Sequence, residues 1–161
     1  MSTRRRGIVK IPLTQGKFAI VGPKDYAYLM QWKWCCHHGY ATRTDYTSGK
    51  RTIGMHRVIL ERMGFKDFAH SDHINGDPLD NCRCNLRPAT FSQNGCNRGK
   101  QKNNTSGHTG VSWKRGKWWA YIRVKKKYLH LGYFDDLKEA ACAYDEAALK
   151  YHGEFATVNG I

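Results

Sequence analysis

The chain has 161 residues, enough for one ordinary domain or two small ones. Hydrophobic residues make up 40% of it, which sets it apart from disordered chains. Its 27 Lys and Arg against 13 Asp and Glu leave a formal charge of +14, which favours a polyanionic partner, nucleic acid before a membrane surface. No apolar run approaches a membrane span. The apolar residues near the N-terminus are broken by Lys10, Pro12 and Gln15, so they do not read as a signal peptide. Arg4, Arg5 and Arg6 make either a basic arm for phosphate or a solvated tail.

In chain order, Ile8-Val9 and Phe18 to Val21 predict two strands separated by Gly16. Pro23 to Trp34 predicts a short helix with Tyr26, Leu29 and Met30 on one face. Gly39 to Thr44, a turn at Thr47-Ser48-Gly49 and Arg51 to His56 predict a hairpin leading into a helix from about Met55 to Met63, stopped by Gly64. The stretch from Asp72 to Gln93 predicts strand, loop, strand, helix, with a turn at Asn75-Gly76 and a capping box from Thr90 to Gln93. Residues 99–109 are a basic linker by composition. Three β-like runs follow, Gly110 to Lys114, Lys117 to Val124 and Lys127 to Phe134, joined at Arg115-Gly116 and Lys125-Lys126. A last helix begins at an acidic cap, Asp136 with Glu139. It carries an apolar stripe of Leu137, Ala140, Ala141, Tyr144, Ala147, Ala148 and Tyr151, read as core.

Asp72 and His73 set a carboxylate and an imidazole side by side at a strand end, and Asn94 lies on the helix that follows. Hydrolysis of a phosphodiester needs a base to activate water, and a cation held by few ligands to offset the charge that develops. Neighbouring strand residues point to opposite faces, so Asp72 and His73 share a site only where the strand bends. The local alternative is that Asp72 and Asn94 are turn and cap residues.

Asp72-His73-Ile74-Asn75-Gly76-Asp77-Pro78-Leu79-Asp80-Asn81, followed by Asn85-Leu86-Arg87-Pro88-Ala89-Thr90 and Ser92-Gln93-Asn94, resembles the His-Asn-His (HNH) homing endonucleases of phages and introns. The resemblance covers residues 55–98 and extends into the N-terminal 50. It implies that His73 is the general base and that Asp72 and Asn94 hold one Mg²⁺ or Mn²⁺ per active site. It also implies that Asn85 braces the loop and orients the His73 ring. Asn94 stands where the third His is usual, which favours a hard cation over zinc. His56 is either a packing histidine or a DNA contact. Arg87 is read as a phosphate contact, and Arg98, Lys100 and Lys102 as further contacts along the linker. Cys82, Cys84 and Cys96 flank the motif, but C-x-C and one more Cys lack the two ligand pairs of structural zinc. The six cysteines are read as free thiols, with structural Zn²⁺ the weaker alternative.

Gly110-Val111-Ser112-Trp113, Ala120-Tyr121-Ile122-Arg123, Leu131-Gly132-Tyr133-Phe134 and the helix from Glu139 to Ala148 resemble the Apetala-two class of plant ethylene-response transcription factors. The match spans about residues 107–159. It implies a sheet laid in the major groove, with Ser112, Lys114, Tyr121, Arg123, Tyr128 and His130 facing DNA. Ser112 stands where that class has Arg and His130 where it has Trp, so the plant target sequence is not inherited. Trp118 or Trp119, not both, is expected to be buried. Leu131 and Phe134 are expected in the core.

The fold class expected is α+β. An HNH ββα-metal nuclease module (1–98, motif core 68–98) and a linker (99–109) precede a small three-stranded antiparallel sheet with one helix (110–161). The function expected is metal-dependent, site-directed cleavage or nicking of double-stranded DNA to 5′-phosphate and 3′-hydroxyl. The protein is expected to act as a monomer or weak dimer, encoded by a phage or mobile element and working in the host cytoplasm. The rival readings are a sequence-specific DNA-binding regulator with a degenerate HNH unit, and an RNA-directed protein.

Overall fold

The computed structural model describes residues 7–47, 49–97 and 103–161. The basic residues Arg4, Arg5, Arg6, Arg98, Lys100 and Lys102 lie outside the described residues. The architecture is mixed α and β, with several small antiparallel sheets and, among the described residues, four α-helices. The chain divides into two compact units, Met1–Thr90 and Phe91–Ile161. The sequence boundaries at 98 and 109 mark a change of composition, whereas the division after Thr90 marks packing.

In the N-terminal unit, β1 (Val9–Pro12) and β2 (Phe18–Val21) pair antiparallel, with Val9 opposite Val21. Helix α1 (Pro23–Leu29) starts on Pro23, whose missing N–H would have had no partner there. It ends five residues short of Trp34. The chain turns after Met30, and the Trp34 indole N–H donates to the Leu29 carbonyl at 2.8 Å, which brings Trp34 into the core. Met30, expected on the inner face, is 45% exposed as a result. A strand not anticipated, β3 (Cys35–His37), joins β4 (Tyr40–Asp45) and β5 (Arg51–Gly54) in the order β3-β4-β5. Helix α2 (Met55–Arg62) follows β5 directly. The strands β6 (His70–His73) and β7 (Leu86–Ala89) close the unit, with His73 opposite Leu86 and Asp72 opposite Arg87.

Ile11, Val21, Leu29, Met55, Ile59 and Leu60 form the centre of the core and are all but inaccessible to water. Burial of each such side chain is worth about 2 kcal/mol. Asp25 in the first turn of α1 is fully buried and takes Arg83 in a two-pronged pair at 2.7 and 2.7 Å and Arg62 at 2.9 Å. Burial pushes its pKa up, but the hydrogen bonds and charges of the two guanidiniums outweigh this and hold the carboxyl below its usual range. One carboxylate thereby ties α1, the end of α2 and the approach to β7.

In the C-terminal unit, α3 (Phe91–Cys96) precedes the meander β8 (Val111–Lys114), β9 (Lys117–Val124) and β10 (Lys127–Phe134), with β9 central. Both connections place two residues in the left-handed region, Arg115-Gly116 at φ 55° and 77° and Lys125-Lys126 at 48° and 67°. Two successive positive φ values match the twist of the strands they join. Helix α4 (Leu137–His152) is capped by the Asp136 carboxylate, which accepts from the amides of Lys138 at 2.7 Å and Glu139 at 3.0 Å. Ala140, Ala141, Ala147 and Ala148 let α4 lie close against Val111, Ala120 and Ile122. Leu131 and Phe134 pack against this core, as expected. Tyr151, counted in the apolar stripe, is 43% exposed and lies beyond Ala148, the last buried alanine of the helix. Gly110 has no room for a side chain, since a Cβ would stand 2.0 Å from the Tyr144 ring and 2.6 Å from the Tyr121 carbonyl.

Candidate functional site

In the N-terminal unit the candidate site is the β6–β7 hairpin and the loop it carries. The loop is held by a network of polar groups, with Leu79 packed against the core. Asn85, in a 3-10 turn before β7, accepts from the Asn75 amide at 3.0 Å and donates to the Asn75 side chain at 2.9 Å and the Asp80 carbonyl at 2.7 Å. Asn75 also donates to the Asp80 carboxylate at 2.8 Å. The loop is anchored to β2, because Ile20 N–H donates to the Leu79 carbonyl at 2.8 Å and Asn81 N–H to the Ile20 carbonyl at 2.7 Å. Buried amides satisfied in this way define one loop conformation, since any other leaves them unpaired. Asn85 thus makes three hydrogen bonds within the loop, at the position to which the resemblance gives a bracing role.

His73 ends β6 and is buried. Its Nε2 lies 3.4 Å from Asn81 Oδ1. A carbonyl oxygen only accepts, so Nε2 is the protonated nitrogen and Nδ1 carries the lone pair. The orienting bond was expected from Asn85, but Nδ2 of Asn85 donates to Asn75 and Asp80. Asn81 supplies the acceptor instead. The His56 ring meets His73 edge-on at 5.4 Å, and Tyr40 lies 5.7 Å from His56 and 6.1 Å from His73. Burial lowers the pKa of His73, opposed by the Asn81 bond and by Asp72, Asp77 and Asp80. Burial, then His73 and Arg57, lower that of His56 to about 4. Both rings are neutral at pH 7.

Asp72, one residue back, is buried in an ion pair, with Arg87 Nε and Nη2 both at 2.7 Å from its Oδ2. Arg87, expected to reach phosphate, is turned to this carboxylate by the register that sets it opposite Asp72. Asn94 is half-buried on α3, which belongs to the C-terminal unit, while Asp72 and His73 belong to the N-terminal one. Among the described residues, no three His, Cys, Asp or Glu side chains stand together as a metal-binding group. Cys36 and Cys82 are buried, Cys84 and Cys142 exposed, and the Cys35 thiol donates to the Thr42 carbonyl at 3.3 Å.

In the C-terminal unit the second candidate surface is the sheet face turned away from α4. Alternation puts Trp118, Ala120, Ile122 and Val124 on the helix side, and Trp119, Tyr121 and Arg123 on the outer side. Neither tryptophan is fully buried. Trp118 packs on the core, and Trp119 stacks on Tyr121 with centroids 4.3 Å apart. Cross-strand partners bring Tyr128 opposite Arg123 and His130 opposite Tyr121. A bulge between His130 and Gly132 then restores Tyr133 to the same face, opposite Trp119. Gly132 has φ 151°, and a Cβ there would meet the Phe134 ring at 2.9 Å. Lys114 lies 4.7 Å over Trp119 and Arg123 5.8 Å over Tyr128. The residues expected to face DNA, Ser112, Lys114, Tyr121, Arg123, Tyr128 and His130, are thus gathered on one face, Ser112 by its pairing opposite Trp119. Sequence reasoning missed Trp119 and Tyr133. Strand alternation from Tyr121 would have found the first, and only Gly132 inside a strand hinted at the second.

No family model matches this chain. Protein 3.8 of Escherichia phage T7 is 36% identical over 87 residues, which are 53% of this chain and 71% of that protein. An ethylene-responsive transcription factor-like protein of Arabidopsis thaliana is 54% identical over 39 residues, 24% of this chain and 17% of the plant protein. Dehydration-responsive element-binding protein 2A of Oryza sativa subsp. indica is 43% identical over 79 residues, 45% of this chain and 28% of the rice protein. The chain spans less than a third of either plant relative. At 36% identity over 71% of the phage protein's length, this chain belongs to the family of Protein 3.8 of Escherichia phage T7.

Proposed function

We propose that this chain is a sequence-specific DNA-binding protein that reads duplex DNA with the outer face of its C-terminal sheet. The observation that carries the reading is that face itself. Lys114 and Arg123 lie over an aromatic row of Trp119, Tyr121, Tyr128, His130 and Tyr133, on a chain of net charge +14. Cations reach phosphate, and a β-sheet laid face-on in the major groove presents polar side chains to base edges. The similarity to a rice protein named for element binding supports the same reading. Selection from a randomised duplex library, followed by competition with bulk DNA, tests it. A single recovered sequence preferred about 10³-fold or more is expected. Recovery of no preferred sequence would sink the reading.

A second reading rests on a separate observation, the neutral, tautomer-fixed His73 on a loop braced by Asn85. On this reading the β6–β7 hairpin hydrolyses DNA as an HNH endonuclease or nickase. Within the N-terminal unit the oxygen donor for a hard cation such as Mg²⁺ or Mn²⁺ would be the Asp72 carboxylate, which is paired with Arg87. When bound, such an ion offsets negative charge on the phosphate. His73 Nδ1 accepts a proton from the attacking water, and Nε2 stays bonded to Asn81. Asn85 keeps the loop from shifting the base, and Arg87 fixes the Asp72 rotamer. The products are a 5′-phosphate and a 3′-hydroxyl. Supercoiled plasmid carrying the selected sequence, with Mg²⁺ or Mn²⁺ and an EDTA control, tests this. Nicked or linear product that His73→Ala abolishes while DNA binding persists is expected. Undiminished cutting by His73→Ala would remove the base from the scheme.

A further inference from the structure

We propose that His130 reads a base, that Trp119 fixes the tautomer in which it does so, and that the pair selects guanine at one position of the bound site. This rests on the DNA-binding reading above and goes one step further, to the hydrogen bond that gives specificity.

A single short contact fixes the tautomer of His130. Trp119 Nε1 lies 2.6 Å from His130 Nδ1. An indole N–H only donates, so Nδ1 must present a lone pair, and the ring proton sits on Nε2. Trp119 is not free to withdraw the bond. Its ring is stacked on Tyr121 at 4.3 Å with planes 27° apart, and Lys114 covers it at 4.7 Å. On its other flank His130 meets Tyr133 at 5.0 Å. The bulge after His130 is what makes that flank, since without it Tyr133 would point to the helix side. His130 is exposed, and among the described residues Nε2 has no hydrogen-bond partner. The result is an N–H of fixed direction and fixed identity on the outer face, with no intramolecular use.

An ordinary exposed histidine discriminates poorly between bases, because either nitrogen can donate or accept. Locking Nδ1 as the acceptor for Trp119 removes that ambiguity and leaves a pure donor. In the major groove, guanine offers N7 and O6, two adjacent acceptors with no donor between them. Cytosine sets its N4–H₂ against the Nε2 donor, while adenine N7 and thymine O4 each offer one acceptor, flanked by the N6–H₂ donor or the methyl group, where guanine offers two. His130 stands where the plant pattern carries Trp, so the contact belongs to this chain and not to that resemblance.

Two measurements on the full-length protein test the proposal. Imidazole ¹⁵N chemical shifts report the tautomer without DNA. An unprotonated Nδ1 on His130 in the native protein, becoming a mixture in Trp119→Phe, is expected. A protonated Nδ1 in the native protein overturns the proposal. Binding is then measured in EDTA on the selected duplex, with each guanine replaced in turn by 7-deazaguanine or 2-aminopurine. At one guanine, loss of N7 or of O6 is expected to weaken native binding about tenfold. His130→Phe is expected to bind more weakly and to ignore the replacement, and Trp119→Phe to respond less than the native chain. Equal sensitivity in the native chain and His130→Phe overturns the proposal and leaves DNA binding standing. Absence of any sequence preference overturns both.

Discussion

At the residue scale, His73 is held between opposed influences. Burial lowers its pKa, and the Asn81 bond with Asp72, Asp77 and Asp80 raises it, with the net value below the ordinary 6.5. Only the neutral ring can take a proton, so if this centre cleaves DNA as an HNH endonuclease, cleavage is expected to persist at pH 7 and to fade as the pH falls below the usual histidine range. Asn81 accepts from Nε2 and so favours the protonated ring. Asn81→Ala therefore lowers the His73 pKa further and moves the acid limb of the pH–rate profile to lower pH. The same variant releases the tautomer and slows nicking at neutral pH about tenfold or more, the usual cost of losing an orienting partner. DNA affinity is expected to be unchanged. An acid limb that stays in place in Asn81→Ala would show that Nε2 is not bonded to Asn81 in solution.

At the element scale, the turn at Lys125-Lys126 is the least favourable local choice in the C-terminal sheet. Both residues sit at positive φ, 48° and 67°, which lysine adopts at a cost and Asn-Gly adopts readily. Replacing them with Asn and Gly is expected to stabilise the protein by about 1 kcal/mol, read as a higher urea midpoint at unchanged slope. No gain would mean that the lysines already relax the turn. Other elements were legible because their pattern is local. Alternation marked β8, β9 and β10, and the alanine stripe with its Asp136 cap marked α4. Three features were not legible, each set by partners distant in sequence. The strand β3 is three residues long and exists because Cys36 pairs with Ala41. Helix α1 stops early because Trp34 turns back to Leu29. The bulge at Leu131 depends on how two strands register, and Gly132 was its only trace.

At the scale of the whole molecule, fixed spacing was enough to put Asp72, His73 and Asn85 in one hairpin, because all three lie within one strand–loop–strand unit. Asn81's bond to His73 and His56's ring contact were invisible, since only the folded loop and α2 create them. The net charge of +14 was plain in the composition, but not which cations would share a face. The sheet answers that for the C-terminal unit, with Lys114 and Arg123 on the outer side and Lys150 exposed on the helix that covers the inner side. If the outer face meets DNA, each phosphate contact there releases counterions, and the logarithm of the binding constant falls steeply with the logarithm of salt. Arg123→Ala is expected to weaken binding to specific and bulk duplexes alike and to reduce that slope by about 1. Lys150→Ala is expected to leave the slope unchanged. Fluorescence anisotropy across a salt series measures both. A slope that drops for Lys150→Ala and holds for Arg123→Ala would place the DNA on the helix side, against the reading surface argued from the aromatic row.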